Sequence, residues 1–221
     1  MIYVSPVWAY FKGGQLTPIN LKIEESMHRA GPGGTGGVKT IGNYAPVLKV
    51  QYAAKVSALL SKVQCYGVAS FHLLLALQDA GFSDILYLDA VENKYVEEVS
   101  SCNIFVVKGK TISTPPLSGT ILPGITRRSI IELASDRGYE VHERNVDWEE
   151  LQEADEVFCT GTAVVVAPVG SITKGDVRKE YQGGEVGPVS QELYDTLTQL
   201  QMGLSEDPKG WVVPVDEKFI R

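Results

Sequence analysis

Short apolar runs separated by turn residues dominate the chain, and only a few segments carry helical spacing. Ile2–Val7 and Pro18–Ile23 read as strands, with Gly13 and Gly14 at the turn between them. Beyond Gly81 the strand and turn signals alternate regularly. Asp84–Asp89 is a strong strand, Tyr95–Val99 and Asn103–Val107 follow, and Gly109 turns the chain into Thr111–Thr114. Tyr139–Val146, Glu156–Cys159, Val164–Val169 and Trp211–Val215 complete the expected strands. Helical spacing is confined to four places. Ala45–Lys55 tolerates Pro46 in its first turn, and Gly124–Gly138 sets Ile125, Ile130, Ile131 and Ala134 at helical intervals before a closing glycine. Asp147, with Glu150 three residues later, resembles a capping box for a short helix to Ala154, and Ser190–Gln201 is the last helix. No internal repeat is visible. Strands outnumber helices and several are adjacent hairpins, so the expected architecture is an α/β domain whose mixed sheet curves into a barrel.

Two segments break the pattern. Gly31–Tyr44 is glycine-rich (GPGGTGGVKTIGNY), a composition that lets backbone approach a ligand closely. Residues 56–80 carry only Lys62 and Asp79 as charges, yet the apolar run Val68–Leu77 is too short to cross a bilayer.

Composition narrows the function. With 44% hydrophobic and 21% charged residues the chain has ordinary globular content rather than that of a disordered one. A net charge of -7 disfavours general nucleic-acid binding, though a local anion pocket built from backbone N–H groups leaves no trace in that sum. Cys65, Cys102 and Cys159 are scattered, as are His28, His72 and His142, so neither a metal site nor a disulfide framework is expected; free thiols suit a reducing compartment. The start of the chain lacks the basic region and cleavage site of a secretory signal, and it reads as beginning partway through a larger architecture.

Lys39 is the first candidate for chemistry. A nucleotide-phosphate loop would need the lysine directly after the last glycine, and Val38 intervenes. The second reading makes Lys39 a Schiff-base nucleophile confined by the glycine loop, with Tyr44 near enough in sequence to meet the same cofactor. The bland alternative, a surface lysine on a turn, is favoured by spacing alone. Glu97 and Glu98 supply carboxylates at a strand end; alternation turns them to opposite faces, so one alone can serve and the other is expected to be solvated. The segment Ile121–Arg128 leads into a helix N-terminus, and Thr160–Ala163 is a small-residue turn; each is compatible with an anion and, taken singly, with an ordinary loop.

Together GGTGGVKTIGNYAPVL, EEVSSCNIF, GTILPGITRRSI and EVFCTGTAVVVAPVG resemble the branched-chain amino acid aminotransferases of pyridoxal-phosphate fold type IV, plant-like subgroup. The resemblance runs nearly unbroken from Ile2 to about Val215, apart from residues 56–80. It implies the D-amino-acid-aminotransferase-like C-terminal domain, with mixed curved sheets forming a pseudo-barrel flanked by helices. It implies pyridoxal 5'-phosphate as cofactor and no metal. Lys39 matches the lysine that carries the cofactor as an internal aldimine, and Tyr44 the tyrosine bonded to the ring O3'. Glu98 matches the acid at the pyridine nitrogen, with Ser101 assisting. Leu122, Ile125 and Thr126 fall at ring-packing and phosphate positions; Thr162 falls at the phosphate and, with Ala163, on the substrate carboxylate side. The implied reaction moves the amino group of Leu, Ile or Val to 2-oxoglutarate, giving glutamate and branched 2-oxo acids. The family acts as a homodimer, with neither nucleic acid nor membrane as partner. Plastid, mitochondrion and cytosol all remain open as its location.

Two departures carry expectations of their own. Residues 1–221 are expected to be the C-terminal cofactor domain without the N-terminal domain, which in the family brings an arginine to the phosphate; weak cofactor binding and little turnover are expected of this chain alone. Residues 56–80 interrupt the resemblance like translated non-coding sequence and are expected to form a protruding helical hairpin bent at Gly67. Two other readings stand beside the leading one. One is a different fold type IV enzyme, D-amino-acid aminotransferase or aminodeoxychorismate lyase. The other is a non-catalytic fragment.

Overall fold

The structure is a computed structural model that describes residues 11, 14–45, 47–48 and 82–214. The expected strand Ile2–Val7, most of the helix Ala45–Lys55 and the apolar segment 56–80 lie outside the described residues.

Strand β1 (Ile19–Glu24) is followed by a 3-10 turn at Ile41–Asn43 and by β2 (Asp84–Leu88), β3 (Val96–Val99), β4 (Asn103–Lys108) and β5 (Thr111–Thr114). Helix α1 (Ile125–Asp136) then leads to β6 (Glu140–Glu143), and α2 (Trp148–Glu153) to β7 (Glu156–Gly161), β8 (Val165–Lys174), β9 (Val177–Glu180) and α3 (Pro188–Gln201). Six of the strands close on themselves. β1 pairs with β2 and β8 in parallel, β2–β3 and β3–β4 are antiparallel, and β4–β7 and β7–β8 complete the ring. β5 and β6 extend the sheet beyond β4, and β9 pairs with the far half of β8. The parallel β5–β6 pair is possible because α1 provides the long crossover between them.

Residue alternation explains why both faces of the ring are apolar. In β4, Ile104 and Val106 join one buried cluster with Leu21, Ile23, Leu86, Val157 and Cys159. Phe105 and Val107 point the other way, into a second cluster with Ile130 and Leu133 of α1 and Leu193 and Leu197 of α3. There Phe105 stacks on Phe158 with ring centroids 5.0 Å apart. Asp147 caps α2 as its spacing implied, its side chain accepting from the Glu150 N–H.

Several boundaries differ from the sequence reading. β8 runs on to Lys174, and β9 has no counterpart among the expected strands. The segment expected as Tyr139–Val146 is ordered as a strand only over Glu140–Glu143, the stretch in register with β5. α3 begins at Pro188 rather than Ser190, because proline suits the first helical position. The expected strand at Trp211–Val215 is absent over Trp211–Pro214, and Val215 lies outside the described residues. There the Asp207 carboxylate accepts the Val212 N–H, Trp211 packs against the second cluster, and Pro214 cannot donate to a ladder.

Candidate functional site

The register of three neighbouring strands creates the floor of a cleft at one end of the ring. Glu98 in β3 stands opposite Asn103 in β4, and Asn103 stands opposite Thr160 in β7. Directly opposed residues share a face, so the three side chains form a row. All are buried. Around them the cleft is lined by Arg29, Val38, Lys39, Tyr44, Ser101, Leu122, Gly124, Ile125, Thr126, Gly161 and Thr162. Strands from distant parts of the chain thus bring Lys39, Tyr44, Glu98, Ser101, Leu122, Ile125, Thr126 and Thr162 to one place. Ala163 is exposed in the same turn but is not among the lining residues.

Glu98 is held by three partners at once. Its Oε1 accepts from the Asn103 amide and from the Leu122 N–H, each at 2.8 Å, and its Oε2 pairs with Arg29. Arg29 is itself buried and donates to the backbone oxygens of Gly36 (3.2 Å) and Thr120 (3.0 Å). Burial pushes the Glu98 carboxyl up to about 7, while the Arg29 charge and the Leu122 N–H hold it down. Sequence reasoning missed both Arg29 and Asn103. Arg29 stands just before the glycine-rich loop, a position that hints at a role without naming its partner.

Glu97 corrects an expectation. Alternation does turn it away from Glu98, but it is only 7% exposed rather than solvated. Its Oε1 accepts from the Thr120 hydroxyl at 2.5 Å, because the connection before α1 packs over that face of β3.

The glycine loop is shaped by contacts rather than by flexibility. Gly36 packs so closely that a Cβ there would lie 2.2 Å from the Thr120 oxygen and 2.5 Å from the Ala30 methyl. Asn43, buried at the end of the 3-10 turn, donates to the oxygens of Thr35 and Val38 (both 2.8 Å) and accepts from the Thr35 hydroxyl at 2.7 Å. This staple presents Lys39 and Tyr44 along one wall. Lys39 is exposed, so the expected deep confinement of its amine is not seen; the acid, not the lysine, occupies the floor.

The opposite wall is the start of α1, whose first N–H groups have no carbonyl of their own helix to bond. Gly124 caps it, and a Cβ there would lie 2.3 Å from the Asn103 amide oxygen. Beside it the Thr160 hydroxyl is buried without a hydrogen-bond partner. Free N–H groups, a helix dipole and an unmatched hydroxyl suit an anion. The enclosed part of the cleft is small, about 40 Å³, little more than one water's share of the liquid. Its outer wall consists of exposed side chains, among them Val38, Lys39, Ile125 and Thr162, which yield to a larger ligand more readily than the buried floor. Among the described residues no group of His, Cys, Asp and Glu could hold a metal ion, and Cys102 and Cys159 are free thiols.

A closed mixed ring with a lysine loop, a buried acid and a helix start meeting at one end is the arrangement of a class IV aminotransferase domain. Residues 62–172 match the family described as amino-transferase class IV, and the chain belongs to that family. It is 57% identical over 213 residues to a chloroplastic branched-chain amino acid aminotransferase 2 of Humulus lupulus, covering 96% of this chain and 46% of that one. It is 51% identical over 215 residues to a mitochondrial branched-chain-amino-acid aminotransferase 1 of Arabidopsis thaliana, covering 97% and 50% respectively. Among solved structures, the Escherichia coli branched-chain amino acid aminotransferase superposes with a TM-score of 0.70 at 32% identity, over 96% of this chain and 60% of that one. The holo form of a branched-chain amino acid aminotransferase from Thermobaculum terrenum gives 0.71 at 26% identity, over 94% and 59%. The chain therefore spans about half the length of the curated relatives it matches. No helix among the described residues is long and apolar enough to cross a membrane.

Proposed function

We propose that the cleft holds pyridoxal 5'-phosphate and that this chain supplies the lysine-bearing half of a branched-chain amino acid aminotransferase. Its substrates would be Leu, Ile or Val as amino donors and 2-oxoglutarate as acceptor. The observation that supports this best is the meeting of Lys39, Tyr44 and Glu98 with the α1 start and the Thr160–Thr162 turn in one cleft. Bound there, pyridoxal phosphate supplies a ring that takes up the electron pair left on the substrate Cα.

The chain's own residues then have separate tasks. Glu98, fixed by Arg29, Asn103 and the Leu122 N–H, holds a proton on the ring nitrogen, with Ser101 beside it. The Tyr44 hydroxyl bonds the ring O3', and Leu122 packs on the ring. The N–H groups of Ile125 and Thr126 and the Thr162 hydroxyl hold the phosphate; Thr162, followed by Ala163, faces the substrate carboxylate. The Lys39 Nζ anchors the cofactor and, when released, moves the proton from the substrate Cα. Arg29, the one arginine lining the cleft among the described residues, is committed to Glu98, so the phosphate lacks a guanidinium here. A charge-assisted bond is worth about 1.5–3 kcal/mol, and weak cofactor binding with little leucine turnover is expected of the chain alone.

Incubation with pyridoxal phosphate, borohydride reduction and peptide mass mapping test the proposal. The expected adduct sits on Lys39 and vanishes in Lys39→Ala; a folded protein labelled only on other lysines would defeat the reading.

A further inference from the structure

The two consecutive glutamates of β3 serve different places. Glu97 borders a second pocket, of about 270 Å³, and is not among the residues lining the cleft. Glu98 lines the cleft together with Asn103, which is only 5% exposed. The Asn103 nitrogen donates twice, to Glu98 Oε1 at 2.8 Å and to the Leu122 carbonyl at 2.9 Å. Leu122 in turn donates its N–H to the same Oε1 at 2.8 Å, which closes a small ring of hydrogen bonds. A backbone carbonyl can only accept, so the amide nitrogen rather than its oxygen must face this side. The oxygen lies at the cap of α1, where a Cβ on Gly124 would stand 2.3 Å from it. One carboxamide therefore meets the acid on one side and the entry to α1, at Leu122 and Gly124, on the other.

We propose that Asn103 is a positioning residue: it holds Glu98 and the anion-binding start of α1 at a fixed separation, so that the cleft recognises both ends of pyridoxal phosphate jointly. This rests on the reading of the cleft given above. Glu98 would meet the ring nitrogen and the α1 N–H groups the phosphate, two anchors for one rigid molecule. Anchors already at the matching spacing hold the second end without further ordering, whereas loose anchors gain little from it. Asn103 acts through these neighbours, and each keeps other support when it is removed. Arg29 and the Leu122 N–H still hold Glu98, and the Gly124 N–H still bonds the Leu122 carbonyl at 2.8 Å. Loss of Asn103 thus loosens the spacing while leaving both anchors in place.

Titration of the full chain with pyridoxal 5'-phosphate and with pyridoxal, which lacks the phosphate, provides the test. The wild-type chain is expected to prefer pyridoxal phosphate. Asn103→Leu, similar in shape but without donors, is expected to lower that preference by about tenfold, although the phosphate's own donors are untouched. A residue that merely steadied the fold would weaken both ligands alike and leave their ratio as it was. Gly124→Ala approaches the same contact from the other side. Its φ of -64° suits alanine, so the methyl acts by pushing the helix start away from Asn103. The ratio is expected to fall there too, which supports the proposal even where Asn103→Leu fails to fold. An unchanged ratio in either folded variant overturns the proposal while the cleft reading stands. A wild-type chain without phosphate preference overturns it as well, and borohydride labelling then separates the two ideas. A Lys39 adduct in that chain removes this proposal alone; no adduct removes the cleft reading with it.

Discussion

At the scale of single residues, the two β3 carboxylates set the protein's response to pH. Burial raises the pKa of both, and for Glu98 the value reaches about 7 from an ordinary 4.5. Between those values the folded chain keeps a proton that the unfolded chain has released. Stability is therefore highest below the window and falls as pH climbs through it, with roughly 3 kcal/mol at stake in Glu98. Urea midpoints at pH 5 and pH 8 are expected to show the decline, and Glu97→Gln to make it shallower. A midpoint that rises with pH would contradict this account. Glu98 could be nominated from sequence because its neighbours resemble a family motif. Arg29 could not, since an arginine's partner across the barrel leaves no local mark.

At the scale of elements, the glycine loop shows how packing selects a conformation that composition only permits. Gly36 admits the Thr120 carbonyl where a side chain would collide, and Arg29 bridges both oxygens. Gly36→Ala is expected to cost about 1–3 kcal/mol through the backbone shift it forces, and to lower adduct formation at Lys39. Gly42→Ala meets nothing within 4 Å and serves as control. Equal thermal stability and labelling in the two variants would show that the close contact has no consequence. The strand interiors were legible because alternation and β-branched residues mark them, and Asp147 marked the start of α2. The tail was misread because Trp211-Val-Val has strand composition, whereas none of the described strands pairs with it. β9 was missed for the converse reason: its residues VRKE are polar and gain their order from β8.

At the scale of the whole molecule, closure of the six-stranded ring couples distant segments. Ile23 is 2% exposed within the inner cluster, so Ile23→Ala is expected to cost about 2–5 kcal/mol in urea unfolding. Leu48→Ala, at a position 65% exposed, should stay within about 0.5 kcal/mol. Comparable losses in both would mean that the ring does not carry the core.

The residues alone determined most of the described strands and helices, that an α/β domain with a curved mixed sheet was to be expected, and which lysine, acid and helix start were candidates. These follow from local periodicity, capping and motif, which are written into neighbouring positions. Only the tertiary structure decided that Glu98, Asn103 and Thr160 form one row, that Arg29 pairs with the acid, that Lys39 stands on an open wall, and that Glu97 is buried beside a second pocket. Those outcomes depend on strand register and on which elements pack against which. Such long-range pairings are settled by the burial of the whole chain rather than by any stretch of it.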